Sequence, residues 1–459
     1  MQLLFESSDE SPGVRGLGAI PGSVDRFEFS SPAVPHIGWN EALPARGGTV
    51  LGNDGGRYYF VHSFRVRGAP AEWCAGVTDY GGSRFVSAVQ RGAQCAVQFH
   101  PEKSGAVGLD LLQRFICQST GPSPAVAPAA LAPRQTRLAP RVIAALDVRL
   151  NDAGDLVVTK GDGYDVREKT DGAKGEVRNL GKPVDLCARY YNEGADEICI
   201  LNICAFKGEP LADLPLLAVL RRASEKCFVP ITIGGGIRAY TDDAGLRVSA
   251  VDVAAAYFRA GADKVSIGSD AVSAAMAFYA AGKQADGSSS ISEIAQRYGR
   301  QAVVVSIDPR RVWVAAGAEP AGPAGKYAVV DHAVQRGPNG EARCWYECTV
   351  SGGRSGVELD AAQLSVAAEA LGAGELMLNC IDCDGKQDGY DLELLAVIKA
   401  AVSIPVIASS GAGRPSHFVD VIQAGADAAL AAGIFHRKQV DIADVKAALE
   451  AAGIPTRAQ

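Results

Sequence analysis

Apolar positions change rhythm along the chain. Over residues 1–120 they gather in short β-type runs, at 57–66, 85–89 and 95–99, separated by Gly/Pro turns and followed by a helical stretch at 108–117. The next segment, GPSPAVAPAALAPRQTRLAP (121–140), is dominated by proline and alanine and keeps no apolar period, which makes it a linker. From 141 to 459, apolar β-rich runs recur at 142–146, 197–203, 230–233, 264–267, 302–307, 375–380, 406–408 and 428–431, mostly with helix-length segments between them. Eight such runs predict parallel strands covered on both faces, and hence a (β/α)8 TIM barrel. Two open α/β sheets would give the same local pattern.

An internal repeat argues for the barrel. VPITIGGGI (229–237) aligns with IPVIASSGA (404–412), GADKVSIGS (261–269) with GADAALAAG (425–433), GADEICILN (194–202) with GAGELMLNC (372–380), and IAALD ending at Asp147 with VVSID ending at Asp308. Matches in one order imply a duplicated half-barrel, whose equivalent residues face each other across the mouth. Two connections exceed ordinary loop length. Residues 151–183 are charged and Gly-punctuated, as a mobile active-site lid would be. Residues 312–350 predict a β-hairpin around Pro338, Asn339 and Gly340, an excursion off the barrel.

Composition narrows the function classes. Hydrophobic residues are 47% of 459, enough for sizeable cores in two or three domains. No run approaches the roughly 18 uninterrupted apolar residues of a spanning helix, so no membrane span is expected. Lys and Arg total 45 against 52 Asp and Glu, a net charge of −7, which opposes general nucleic-acid or anionic-membrane binding and leaves only local anion sites. The 11 cysteines are scattered; one CxxxC (Cys344, Cys348) and one CxxC (Cys380, Cys383) spell out neither a disulfide framework nor a four-ligand zinc site. No metal or cofactor is therefore expected, and a reducing compartment is. The start, MQLLFESSDESPG, carries no targeting signal and reads as a helix already under way at 1–5, so the chain is expected to lack its natural beginning.

Asp147 and Asp308 each stand at the C-terminal end of a predicted barrel strand, where such barrels place catalytic groups. Two carboxyls there divide acid and base roles if their surroundings push their pKa values apart. A single Asp after a strand is as readily a helix cap, but two at repeat-equivalent positions favour catalysis. GGGI (234–237) and SSGAG (409–413) also follow strands, and each half adds a small-residue turn, Gly268 with Ser269 and Ala432 with Gly433. Backbone N–H groups can approach a phosphate at such turns, so the symmetry predicts a ligand with a phosphate at each end and the Asp pair at its middle. Lys160, in the lid, would reach a phosphate or developing charge, or be a solvated loop lysine. In AVQFHPEKSG, His100 and Glu102 face one side of an extended chain, as a nucleophile–His–acid triad needs. No nucleophile is evident there: Cys74, Cys95 and Cys117 lie in strand or helix, not on a sharp strand-to-helix turn.

Longer motifs then carry a resemblance. VPHIGWN (34–40), YYFVHSF (58–64), QFHPEKSG (98–105), GDLVVTKGDGYDVRE (154–168), DGYDLELL (388–395) and IASSGAG (407–413) make the whole chain similar to the imidazole glycerol phosphate synthase family of histidine biosynthesis, in its single-chain form. The resemblance implies a class I glutamine amidotransferase α/β domain, partial here, at 1–120, the linker at 121–140 and a cyclase barrel of two half-barrel repeats at 141–459. It implies that glutamine yields ammonia, which crosses the barrel to meet phosphoribulosyl-formimino-AICAR phosphate and gives imidazole glycerol phosphate and AICAR ribotide. Asp147 and Asp308 are then the acid/base pair and Lys160 a substrate contact. Gly236, Gly268 and Ser269 surround one phosphate; Asp384, Gly385, Gly411, Ala432 and Gly433, with Ser410 alongside, surround the other. Gly268, where relatives often carry a larger polar side chain, offers only its backbone. Arg141, Glu197, Lys264 and Glu375 match a ring of charges that gates ammonia entry, and a salt-bridged plug is compatible with that.

One departure matters for the first half. MQLLF matches the residues just after the family's nucleophile turn, so the nucleophilic cysteine is absent and His100 with Glu102 form two-thirds of a triad. An ammonia-dependent cyclase with an inactive glutaminase is expected. The sister isomerase of the pathway, which lacks a fused amidotransferase, and a non-catalytic derivative are the competing readings. A monomer is expected, located in the cytoplasm or alternatively in a plastid.

Overall fold

A computed structural model describes residues 1–28, 33–117, 135–153, 155–159, 179–203, 214–242, 245–332 and 335–457. Two compact units emerge, Met1–Pro140 with Ile454–Gln459, and Arg141–Gly453.

The first unit is built on a largely antiparallel eight-stranded sheet. Its long strands are His36–Pro44, Gly56–His62, Cys74–Tyr80 and Ser83–Arg91, with Gln94–Val97 on the last of these. Aromatic residues enriched in strands supply its core: Phe27, Tyr58, Phe60, Phe85 and Phe99, joined by Leu111 from the helix Gly105–Cys117. The helix expected at 1–5 is a single 3-10 turn, Gln2–Leu4, followed by extended backbone at Phe5. Neighbouring chain captures this segment instead: Leu17 and Ile20 donate to Leu3 and Leu4 carbonyls at 2.9 and 3.0 Å, and Phe5 is buried against Ile20, Val24 and Trp73.

The second unit closes eight parallel strands into a barrel: β1 (Arg141–Leu150), β2 (Glu197–Asn202), β3 (Ile231–Gly234), β4 (Lys264–Ile267), β5 (Val303–Ile307), β6 (Glu375–Asn379), β7 (Val406–Ser409) and β8 (Ala428–Ala431). Each pairs with the next, and β8 pairs back onto β1, Ala428 opposite Arg141. Ile143, Cys199, Val304, Met377, Ile407 and Leu430 fill the middle, so the barrel is packed rather than hollow. Side-chain caps start the helices on schedule, Ser249 accepting from Asp252, Asp360 from Gln363 and Asp391 from Leu394.

Two departures from plain alternation lie at the C-terminal ends of the strands. Within the long connection after β1, Leu156–Thr159 pairs antiparallel with β1, Thr159 opposite Asp147; Lys160 and the bulk of the expected lid lie outside the described residues. After β5 the chain leaves the barrel as Pro309–Val314, which pairs with Arg343–Val350, itself flanked by Val330–Asp331 and Ser355–Asp360. The expected turn falls at 337–340, closed by Gly340 N–H to the Gly337 carbonyl at 2.9 Å.

Candidate active site

One cavity of about 410 Å³ opens among the C-terminal ends of the barrel strands. Asp147 and Asp308 both line it, as do Gly236, Gly268, Ser269, Asp384, Gly385, Ser410, Gly411, Ala432 and Gly433. The structure thus brings together, among the described residues, those that the repeat and the resemblance singled out for the barrel mouth; Lys160 lies outside the described residues.

Register explains the Asp pair. Asp147 extends the β1 run beside Leu201 of β2, and Asp308 is the first residue past β5, its carbonyl accepting from Thr349 N–H at 3.2 Å and Thr349 Oγ1 at 2.6 Å. Asp308 Oδ1 accepts from Asn379 Nδ2 at 2.8 Å and from Ser306 Oγ at 3.4 Å, and Asn379 also donates to Ser306 Oγ at 2.8 Å. Burial pushes the Asp308 carboxyl up; the Asn379 and Ser306 hydrogen bonds pull it part of the way back, and the Asp384 carboxylate adds to the rise.

The two anion-ready ends share a backbone shape. Gly235 and its repeat partner Ser410 have φ of +99° and +72°, and Gly236 and Gly411 have +74° and +102°. Left-handed φ turns consecutive N–H groups toward one side, as an anion nest requires. A Cβ on Gly235 would stand 2.2 Å from the Asn202 carbonyl oxygen, and one on Gly411 would stand 2.1 Å from that of Gly389, so neither position tolerates a side chain. Gly268 and Ala432 repeat the agreement, both with negative φ and ψ at helix starts.

Sequence reasoning passed over several lining residues. Asn379 and Ser306 are polar ends of apolar strands, and Ser306 lies two residues before Asp308, on the same face. Arg437 folds back toward Gly433, whose Cβ would meet its Nη2 at 2.9 Å. The excursion returns to the cavity through Ser351, Gly352 and Arg354, with Ser351 N–H donating to Ser269 Oγ at 3.1 Å. No local period marks that return.

At the opposite end of the strands, Arg141, Glu197, Lys264 and Glu375 form one buried network. Arg141 Nη1 contacts Glu197 Oε2 at 2.6 Å and its Nη2 pairs with Glu375; Lys264 Nζ reaches Glu197 at 2.7 Å and Glu375 at 2.8 Å. Thr232 Oγ1 adds a 2.6 Å bond to Glu197. Burial would raise the Glu197 carboxyl, yet Lys264 and Arg141 hold it down at about 2.

In the first unit, His100 Nδ1 and Glu102 Oε1 are 2.9 Å apart at the surface. The turn that carries them is pinned to the neighbouring strand by His100 N–H to the Tyr59 carbonyl at 2.9 Å and Tyr59 N–H to Ser104 Oγ at 3.0 Å. Although partial burial opposes it, the imidazole holds the Glu102 carboxyl below its usual range. Burial raises the Cys74 thiol and pushes that of Cys95 up to about 11, so neither is an activated nucleophile.

Comparison with known proteins sets this geometry in context. Residues 141–441 match the family described as "Histidine biosynthesis protein". A chloroplastic imidazole glycerol phosphate synthase hisHF of Arabidopsis thaliana is 52% identical over 465 residues, covering 100% of this chain and 76% of that relative. The hisHF synthase of Schizosaccharomyces pombe is 50% identical over 456 residues, 97% of this chain and 83% of its own length. The synthase subunit HisF of Halobacterium salinarum is 40% identical over 322 residues, 70% of this chain and 98% of the subunit.

Proposed function

This chain belongs to the imidazole glycerol phosphate synthase family of histidine biosynthesis, and from that premise we propose roles for its residues. The Arg141–Gly453 barrel condenses ammonia with phosphoribulosyl-formimino-AICAR phosphate, releasing imidazole glycerol phosphate and AICAR ribotide. The observation that carries this reading is the pairing of Asp147 and Asp308 in one cavity between two loops of matching left-handed backbone. A substrate with a phosphate at each end fits that symmetry, with 234–236, Gly268 and Ser269 at one end and 409–411, Ala432, Gly433, Asp384 and Gly385 at the other.

Attack of ammonia on a carbonyl-type carbon requires a proton to leave nitrogen and another to reach the departing oxygen. Asp308, raised by burial, is the donor. That leaves Asp147 to accept. Ser351 and Arg354 extend the first phosphate end, and the role of Lys160 as a substrate contact rests on the resemblance alone. Ammonia enters past Arg141, Glu197, Lys264 and Glu375.

His100 and Glu102 are the imidazole and carboxylate of a glutaminase site, and neither Cys74 nor Cys95 serves it as an activated thiol. Free ammonia is the nitrogen donor we assign to the barrel. The chain acts as a monomer, and the chloroplastic relative favours a plastid over the cytosol. The test compares ammonium and glutamine as nitrogen donors for the full chain and its Asp147→Asn variant. Ammonium should support turnover, glutamine should not, and Asp147→Asn should abolish turnover while substrate binding survives. Equal rates with either donor would overturn the donor assignment; an active Asp147→Asn chain would overturn the acid/base assignment.

A further inference from the structure

The CxxC motif takes no part in the reaction proposed above, yet it sits between two residues that do. Cys380 follows Asn379, the partner of Asp308, and Cys383 precedes Asp384 of the phosphate end. The 3-10 turn Ile381–Cys383 joins them, closed by Cys383 N–H to the Cys380 carbonyl at 3.1 Å. A turn of this kind keeps its end Cα atoms within about 7 Å, and a disulfide spans about 4.4–6.8 Å. The two sulfurs and an Asp391 carboxylate oxygen all lie within 4.8 Å of one another. A cation is poorly suited to that cluster, because Arg311 already occupies it: its Nε donates to Asp391 Oδ2 at 3.0 Å and its Nη2 approaches Cys383 Sγ at 3.4 Å.

We propose that Cys380 and Cys383 are an oxidisable dithiol that closes to a disulfide with hydrogen peroxide and thereby slows the cyclase. The roles of the two sulfurs follow from their neighbours. The Cys380 thiol, hydrogen-bonded to the other sulfur, keeps the Cys383 thiol below its usual range against burial and the Asp391 carboxylate, with Arg311, 3.4 Å from that sulfur, adding to the effect, so Cys383 is the nucleophile. Its thiolate attacks one peroxide oxygen; the O–O bond breaks, hydroxide leaves and takes up a proton, and a sulfenic acid remains. Cys380, whose Sγ lies 3.3 Å from Asp391 Oδ2, then gives up its proton, attacks the Cys383 sulfur and expels water. The sum is two thiols and one peroxide giving one disulfide and two waters.

Access is through the cavity. Neither cysteine lines it, but Gly411 and Asp384 do, and a Cβ on Gly411 would stand 3.2 Å from Cys383 Cβ, which puts Cys383 directly behind the cavity wall. Closing the bond draws the turn inward at both ends, shifting Asn379 under Asp308 and Asp384 at the phosphate. Displacement of about 1 Å at such groups lowers turnover by about 10- to 100-fold.

The inference rests on the cyclase reading for its activity readout, but not for its sulfur chemistry. The reduced full chain is treated with hydrogen peroxide, and the tryptic peptide 355–386, which holds Cys380 and Cys383 and no other cysteine, is weighed. The peptide should lose two hydrogens, ammonium-dependent turnover should fall in parallel, and dithiothreitol should restore both. Cys380→Ser and Cys383→Ser chains should keep their turnover under the same peroxide. The proposal is overturned if the wild-type peptide keeps both thiols under peroxide that oxidises exposed Cys117, if the disulfide forms without loss of turnover, or if the Ser variants lose activity equally. Absence of ammonium-dependent turnover in the reduced chain would count against the cyclase reading alone, because the mapped disulfide is read independently.

Discussion

Asp308 carries two opposing demands, and both are measurable. Its carboxyl is raised chiefly by burial, so the folded protein binds its proton more tightly than the unfolded chain does. The ionised form is therefore a burden: this site favours folding most below the carboxylate's unfolded pKa, and the advantage fades as pH rises through the folded value. Asp308→Asn removes that burden together with the proton donor. It should cost about 10²–10⁴ in kcat with ammonium, while raising the melting temperature at neutral pH, a combination that a merely structural Asp would not give. Asn379→Ala acts in the other direction. Asn379 stabilises the ionised carboxylate at 2.8 Å, so its loss lifts the Asp308 pKa further. An acid works until pH passes its pKa, so the basic limb of the kcat–pH profile should move to higher pH in Asn379→Ala, with the maximal rate lowered by the loss of orientation. An unmoved limb would mean that Asp308 is not the donor.

At the scale of elements, the two loops after β3 and β7 show what duplication preserves and what it releases. Gly235 and Ser410 adopt the same left-handed backbone, yet only Gly235 has a carbonyl oxygen 2.2 Å from where its Cβ would be. Gly235→Ala should destabilise the barrel by about 1–3 kcal/mol and weaken substrate binding, whereas Ser410→Gly relieves an unfavourable φ and should leave stability equal or better. Thermal melts of the two variants, with KM for the phosphorylated substrate, decide it. Such loops were legible in the sequence because glycine and small residues recur at matched offsets after apolar runs; so were the barrel strands, since burial on both faces leaves unbroken apolar stretches. Asn379 was hidden because one polar residue closing a strand looks like any strand end. The segment 351–354 was hidden for a different reason: antiparallel pairing of Pro309–Val314 with Arg343–Val350 carries it back to the cavity, and pairing across such a gap has no period. The turn at 2–4 departed from expectation because backbone partners at Leu17 and Ile20, remote in sequence, outweigh local helix preference.

Across the whole barrel, the buried ring ties together strands far apart in the chain: Arg141 begins β1, Glu197 β2, Lys264 β4 and Glu375 β6. Two cations and two carboxylates make the network neutral, which is the condition under which charges survive without solvent. Removing one member leaves an uncompensated charge, so Glu197→Gln should lower stability at neutral pH by about 3–5 kcal/mol. Its pH dependence separates this from an ordinary packing defect. The Glu197 carboxyl sits at about 2 in the folded protein against 4.5 as its ordinary value, so its contribution is fully present above about 4.5 and is lost as pH falls toward 2. Denaturant midpoints of the wild type should therefore decline through that window more steeply than those of Glu197→Gln, and the two curves should converge at its acid end. If the ring also meters ammonia, a folded Glu197→Gln chain at neutral pH will show a changed KM for ammonium with KM for the phosphorylated substrate unaltered, because the ring and the cavity occupy opposite ends of the strands. Convergent stability curves with both constants unchanged would make the ring a plug and nothing more.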